Sequence, residues 1–143
     1  LIYGTSNSGK TSLSIGVANE LSIKHRFCTY LTAMKLYPLL ITDKSVTKPN
    51  PLWEWHEAEF LVIDDITTET SNKEEVVTAN QFFKIIDGSK QKNEEGSSIL
   101  SDKNIIWVLG QRNTDLIAND CSWEVMLKDI GVDEANISVV HLS

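Results

Sequence analysis

The chain has 143 residues, the size of one ordinary domain, and we expect a single domain over 1–143. Hydrophobic residues at 41% and charged residues at 23% are typical of a globular protein and exclude a disordered or fibrous chain. No apolar run approaches the ~20 residues of a membrane span, so we expect no membrane partner. Two cysteines are too few for a disulfide framework and favour the reducing cytoplasm.

The net charge of −7 argues against a protein whose whole surface binds nucleic acid, because phosphate contacts depend on Lys and Arg. Only two of the 13 basic residues, Arg26 and Arg112, can present a planar guanidinium. The densest basic zone, within residues 84–103, also contains two adjacent glutamates. The charge therefore does not predict a nucleic-acid partner, although such a partner remains an open alternative.

Five short apolar runs alternate with longer segments, several of which have a helical period. This pattern predicts an α/β fold, a three-layer sandwich in which helices cover both faces of a mainly parallel five-stranded sheet. The predicted strands are residues 1–3, 27–31, 60–63, 105–109 and 137–142.

Four helices are predicted between these strands. The first begins near Thr11, and its apolar spacing predicts that Leu13, Val17 and Leu21 face the sheet. Capping residues and glycine stops bound the later helices. These helices are predicted over residues 33–41, 71–88 and 122–131.

The first motif follows the first predicted strand, where G-T-S-N-S-G-K-T fits G-x-x-x-x-G-K-[ST] between a strand and a helix. In such a loop, backbone N–H groups and the helix N-terminus surround phosphates. The lysine reaches the β- and γ-phosphates and assists catalysis, and the hydroxyl after it ligates Mg²⁺. The predicted nucleotide-binding residues are Gly4, Thr5, Ser6, Asn7, Ser8, Gly9, Lys10, Thr11 and Ser12, with Lys10 also catalytic and Thr11 also a magnesium ligand.

The second motif is an apolar strand that ends in Asp64 and Asp65. The carboxyl ends of parallel strands face the ligand crevice, so we expect both acids to point toward the loop. We interpret Asp64 as the acid associated with Mg²⁺ and Asp65 as the catalytic group that orients or deprotonates water. The alternative interpretation is a solvated acidic turn.

Together the two motifs resemble those of P-loop NTPases with an added strand between the motifs. ATP is the implied nucleotide, because no guanine-reading N-K-x-D motif follows a strand. Residues 27–40 and the run E-A-E-F-L-V-I-D-D-I, which begins at Glu57, further resemble DnaC-type helicase loaders and the ATP-binding helper proteins of transposition. The resemblance covers most of residues 1–110. It implies an AAA+ ATPase with strand order 5-1-4-3-2, ATP and Mg²⁺ as cofactors, and assembly into homo-oligomers or with a helicase-like partner in DNA replication or transposition.

The sequence departs from this family after the fourth predicted strand. Gln111 or Asn113 is the candidate γ-phosphate sensor, in place of the family's Thr/Ser-Asn pair. Arg112 is the candidate arginine finger, and a surface loop arginine is the alternative. Because the chain ends at Ser143 without the family's helical lid, we expect a fragment of a longer protein.

Three other functions stay open. A nucleoside or small-molecule kinase normally needs an arginine-rich lid, which two arginines disfavour. A superfamily 3 viral or phage helicase core has a similar loop and acid pair, and a signalling switch would bind ATP with little turnover. Trp53 and Trp55 could stack single-stranded bases, but neighbouring acids favour the packing of one tryptophan against the sheet.

Overall fold

The computed structural model describes residues 1–41, 55, 57–67, 96, 99–110, 127–128 and 131–143. The strands are β1 (Ile2–Gly4), β2 (Cys28–Thr32), β3 (Phe60–Thr67), β4 (Asn104–Gly110) and β5 (Val140–Leu142). The helices are α1 (Lys10–Ile23) and α2 (Ala33–Ile41), with 3-10 turns at Ile99–Asp102 and Glu134–Asn136. The sheet has the order β2-β3-β4-β1-β5, and every pairing is parallel. The predicted α/β class and strand order are confirmed.

Most predicted boundaries lie within one residue of those observed for β1, β2, β4, α1 and α2. The last strand is shorter than predicted and begins at Val140. The helix predicted over residues 71–88 and most of the helix over 122–131 lie outside the described residues. The predicted stop at Gly131 is confirmed, because its φ is 99° and its N–H donates to the Lys128 carbonyl at 2.9 Å. In the described ranges, no helix is long and apolar enough to cross a bilayer.

The main core lies between α2 and one face of the sheet. Leu36 and Leu40 of α2 are completely buried in one cluster with Leu61 and Ile63 of β3. Trp55 is also completely buried in this cluster, which confirms the packing interpretation for that tryptophan. Trp53 lies outside the described residues.

Helix α1 covers the sheet with a different face from the one predicted. Leu13 and Val17 are 39% and 38% exposed, whereas Lys10 and Ser14 are buried. Leu21, the third residue predicted to face the sheet, is half-buried. The Ser14 hydroxyl is satisfied locally, because it donates to the Thr11 carbonyl at 2.9 Å.

The two glycines of the loop are required for different reasons. A Cβ on Gly4 would lie 1.8 Å from the carbonyl oxygen of Leu142 in β5, and the N–H of Thr5 donates to that same oxygen at 3.2 Å. Gly4 therefore allows β5 to pack against β1. A Cβ on Gly9 would meet nothing within 4 Å, but its φ is 86°, which favours glycine.

We predict that Gly4→Ala destabilises the fold more than Gly9→Ala does. Gly9→Ala meets only the backbone penalty of about 1–2 kcal/mol for a left-handed L-residue. Gly4→Ala must also displace the backbone of β5, so its loss in the free energy of unfolding should be larger. Urea unfolding followed by circular dichroism measures both losses. Equal losses would show that the β1–β5 contact does not require this glycine.

Candidate functional site

The loop between β1 and α1 forms a concave surface of backbone groups. Asn7 and Gly9 have φ values of 61° and 86°, and the N–H of Ser8 donates to the Thr5 carbonyl at 3.3 Å. Gly9 is the N-cap of α1, and the helix has neither a side-chain cap nor an acidic residue in its first turn. The helix therefore has no carboxylate in its own first turn to offset the positive end of its dipole. Such a concavity is suited to an anion.

Lys10 is held inside this loop. Its side chain is 8% exposed, and Nζ donates to the carbonyls of Gly4 and Thr5 at 3.0 and 2.6 Å. Burial lowers the pKa of Lys10, and the nearby carboxylate of Asp64 opposes that shift. The ammonium of Lys10 therefore also stabilises the loop that carries it.

The hydroxyl of Ser8 is buried without a hydrogen-bond partner among the described residues. A buried hydroxyl without a partner costs about 1–3 kcal/mol relative to one that is satisfied. A phosphate oxygen in the concavity would accept this hydrogen bond. The orphaned hydroxyl therefore fits an anionic ligand of the loop.

The two acids lie within β3, and the prediction that the strand stops before them is wrong. Ile63 pairs with Trp107 and Ile66 pairs with Leu109, so β3 contains one residue more than β4 over this interval. This is a β-bulge, and Asp65 adopts the left-handed conformation in it, with φ of 57°. The strand continues because Ile66 returns to the core and is completely buried.

Asp64 and Asp65 have different environments although they are adjacent. Asp64 is 2% exposed, and its two carboxylate oxygens accept hydrogen bonds from the Tyr30 hydroxyl and the Asp65 N–H, both at 2.7 Å. Asp65 is exposed, and desolvation together with the Asp64 charge raises the pKa of its carboxyl. The carboxylate of Asp64 is thus held in place by two hydrogen bonds, whereas that of Asp65 is exposed.

Sequence reasoning missed Tyr30. It lies on the edge strand β2, opposite Val62 and two residues before the position that pairs with Asp64. Burial and the Asp64 carboxylate raise its pKa above the usual range, so the phenol keeps its proton at neutral pH. The available signal in the sequence was an aromatic residue near the carboxyl end of a predicted strand. That Tyr30 contacts Asp64 follows only from the register of β2 on β3.

The structure brings Lys10, Asp64 and Asp65 to the carboxyl ends of β1 and β3, with β4 between those strands as predicted. Thr11 and Ser12 are exposed in the first turn of α1. Gln111, Arg112 and Asn113 lie outside the described residues, so their roles stay predictions. Within the part of the chain that the structure describes, no group of three or more His, Cys, Asp or Glu residues could hold a metal ion.

Arg26, the other arginine, has a structural role away from this edge. Its Nε and Nη2 atoms each lie 2.5 Å from the carboxylate of Glu59. Glu59 is the residue immediately before β3. Its guanidinium also lies 5.5 Å from the ring centroid of Phe60. These contacts lie at the amino ends of β2 and β3, the edge of the sheet opposite the loop.

No protein-family model matches this sequence, and no curated protein sequence matches it. Among solved structures, the chain is similar to AMPPCP-bound DnaA from Aquifex aeolicus, with a TM-score of 0.51 and 19% identity. The similarity covers 99% of this chain and 39% of that chain, so this chain spans well under half the length of its structural neighbour. An identity this low shows the fold alone, a parallel α/β fold that this chain shares with part of that protein. It does not single out the DnaC-type loaders.

We predict that Asp65→Val lowers the free energy of unfolding by about 1–2 kcal/mol relative to Asp65→Asn, because a β-branched residue resists the left-handed conformation that asparagine tolerates. Thermal unfolding of the two variants measures the difference. Equal stabilities would mean that the bulge does not hold residue 65 in that conformation.

The pH dependence of stability provides a second measurement on Asp65→Asn. A carboxyl pKa that is raised by folding adds stability below its unfolded pKa, and this stability is lost as the pH rises through the folded pKa. The wild-type chain should therefore lose stability relative to Asp65→Asn as the pH rises from the acid range. A constant difference between the two chains would contradict the raised pKa.

Proposed function

We propose that this chain binds ATP with Mg²⁺ in the loop between β1 and α1 and hydrolyses the nucleotide. The observation that carries the proposal is that the buried Lys10 follows β1 and the buried Asp64 lies near the carboxyl end of β3, on the two sides of the intervening strand β4. A cation that reaches phosphates and an acid that holds magnesium are the two charges that phosphoryl transfer needs side by side.

The chain supplies three kinds of group to the nucleotide. The N-terminus of α1 and the hydroxyl of Ser8 bind phosphate oxygens, and Lys10 neutralises the β- and γ-phosphates. Thr11 and Asp64 would hold Mg²⁺, which offsets the phosphate charge when bound. The structural neighbour was solved with AMPPCP, an ATP analogue, which supports a nucleoside triphosphate as the ligand.

Hydrolysis requires a group that orients or deprotonates water, and Asp65 suits that role because its carboxylate is exposed and its pKa is raised by desolvation and by the Asp64 charge. Asp64 is held in place by its two hydrogen bonds. We assign γ-phosphate sensing to Gln111 and transition-state charge stabilisation to Arg112, which an arginine can provide in its own subunit or in a neighbour.

The wider role that we propose is an oligomeric ATPase that acts with a helicase-like partner in DNA replication or in a mobile element. The AAA+ type of fold and the sequence resemblance to helicase loaders support this role. A turnover assay with and without single-stranded DNA distinguishes it from an ATP-binding switch with little turnover.

We predict that Lys10→Ala weakens ATP affinity about ten- to a hundredfold, because a charge-assisted hydrogen bond contributes about 1.5–3 kcal/mol. The melting temperature should also fall, because the ammonium holds two loop carbonyls. Isothermal titration calorimetry measures the affinity. Lys24→Ala is the matched control, since Lys24 follows the same helix and forms an exposed ion pair with Glu20 at 3.4 Å. Unchanged affinity in Lys10→Ala would rule out the loop as the nucleotide site.

We predict different defects for the two aspartates. Asp64→Asn should weaken magnesium-dependent ATP binding, because the fixed buried carboxylate loses its charge. Asp65→Asn should leave binding within a few-fold and slow turnover, because it removes the carboxylate that we assign to the attacking water. Calorimetry and phosphate release measure the two properties, and asparagine preserves the bulge in the second variant. If both variants lost only binding, the assignment of Asp65 to water would be wrong.

A further inference from the structure

Tyr30 contacts the candidate magnesium acid from the edge of the sheet. Its hydroxyl donates to Oδ2 of Asp64 at 2.7 Å. Val62 is the register partner of Tyr30, and Asp64 is the register partner of Thr32, so the hydrogen bond runs diagonally across two neighbouring strands. Residues two apart on a strand share a face, which is why the tyrosine and the carboxylate meet.

The other oxygen of Asp64 has its own donor. The N–H of Asp65 donates to Oδ1 at 2.7 Å, where the chain turns into the left-handed conformation of the bulge. One donor on each oxygen fixes the rotation of the carboxylate, and lone pairs remain on both oxygens for a cation or its bound water. Two elements therefore hold Asp64: its own strand through the bulge and the neighbouring strand through Tyr30.

Tyrosine is suited to this task. Its side chain has two rotatable torsions, so little conformational entropy is lost when it is held, and its hydroxyl donates to a carboxylate that is almost completely buried. The ring is 40% exposed, so the hydroxyl can be removed without opening a cavity in the core. The contact is thus separable from the packing of the sheet.

We propose that Tyr30 is a positioning residue that sets the magnesium dependence of nucleotide binding by holding the carboxylate of Asp64 in one orientation. The inference rests on the proposed function, because it needs Asp64 to act on magnesium. Outer hydrogen-bond partners of metal ligands typically change metal affinity about 10–100-fold when they are removed. Tyr30→Phe should therefore raise the Mg²⁺ concentration at half-maximal ATP binding by about tenfold.

The experiment titrates Mg²⁺ against ATP binding in the full chain by calorimetry, with ATP affinity in EDTA as the reference. Tyr30→Phe should shift the magnesium midpoint and leave the magnesium-free affinity within twofold. Tyr37→Phe is the matched control, because it removes a hydroxyl from the half-buried tyrosine of α2 and should shift neither value. A merely structural role for Tyr30 would lower the affinity with and without magnesium, and that result would overturn the inference.

Two further measurements connect the effect to Asp64. In an Asp64→Ala background, Tyr30→Phe should have no additional effect on the magnesium midpoint, because the coupled partner is gone. In the nucleotide-free chain, the carboxyl ¹³C resonance of Asp64 should shift in Tyr30→Phe and stay unchanged in Tyr37→Phe. Independent effects in the double variant, or an unmoved resonance, would overturn the inference.

The outcomes also separate the inference from the proposed function. If the wild-type chain bound ATP with a normal magnesium midpoint and Tyr30→Phe left that midpoint within twofold, the inference alone would be wrong. If the wild-type chain showed no magnesium-dependent ATP binding, the proposed function and the inference would fail together.

Discussion

The charge pair of Lys10 and Asp64 is the constraint on which the rest of the candidate site depends. Either charge alone would be costly to bury, so each needs its own partners. Lys10 has the carbonyls of Gly4 and Thr5, and Asp64 has the hydroxyl of Tyr30 and one backbone N–H. Because both charges are satisfied separately, they can lie close together without collapsing into a direct ion pair. A ligand with its own charges can then act between them.

Sheet topology makes this approach possible. The two strands that carry the charges are not neighbours, and β4 separates them. All the pairings are parallel, so the carboxyl ends of β1 and β3 open at one edge with a strand's width between them. At the far side of β1, the backbone of β5 passes so close to Gly4 that no side chain fits there. The packing of β5 and the start of the loop therefore both depend on Gly4.

Sequence reasoning predicted the strands and the two motifs well, because continuous apolar runs and a fixed glycine–lysine spacing are local signals. It failed where orientation depends on distant residues. The apolar spacing of Leu13 and Val17 predicted the inner face of α1, but both are exposed and Ser14 is buried instead. The sequence also did not predict that Tyr30 is the hydrogen-bond partner of Asp64. Tyr30 precedes Asp64 by 34 residues, and the register of β2 on β3 brings the two side chains together.

The bulge in β3 shows how two identical side chains acquire different chemistry. In an unbroken strand, residue 65 would share the face of Leu61 and Ile63, and its carboxylate would lie in the apolar core. The extra residue of the bulge interrupts the alternation of side chains between the two faces of the strand. Ile66 therefore occupies the core position instead of Asp65. Asp64 meanwhile stays on the opposite face, where Tyr30 reaches it. The left-handed backbone of Asp65 costs about 1–3 kcal/mol. That cost is small beside the burial of an unpaired carboxylate, so core packing and the separation of the two acids favour the same local geometry.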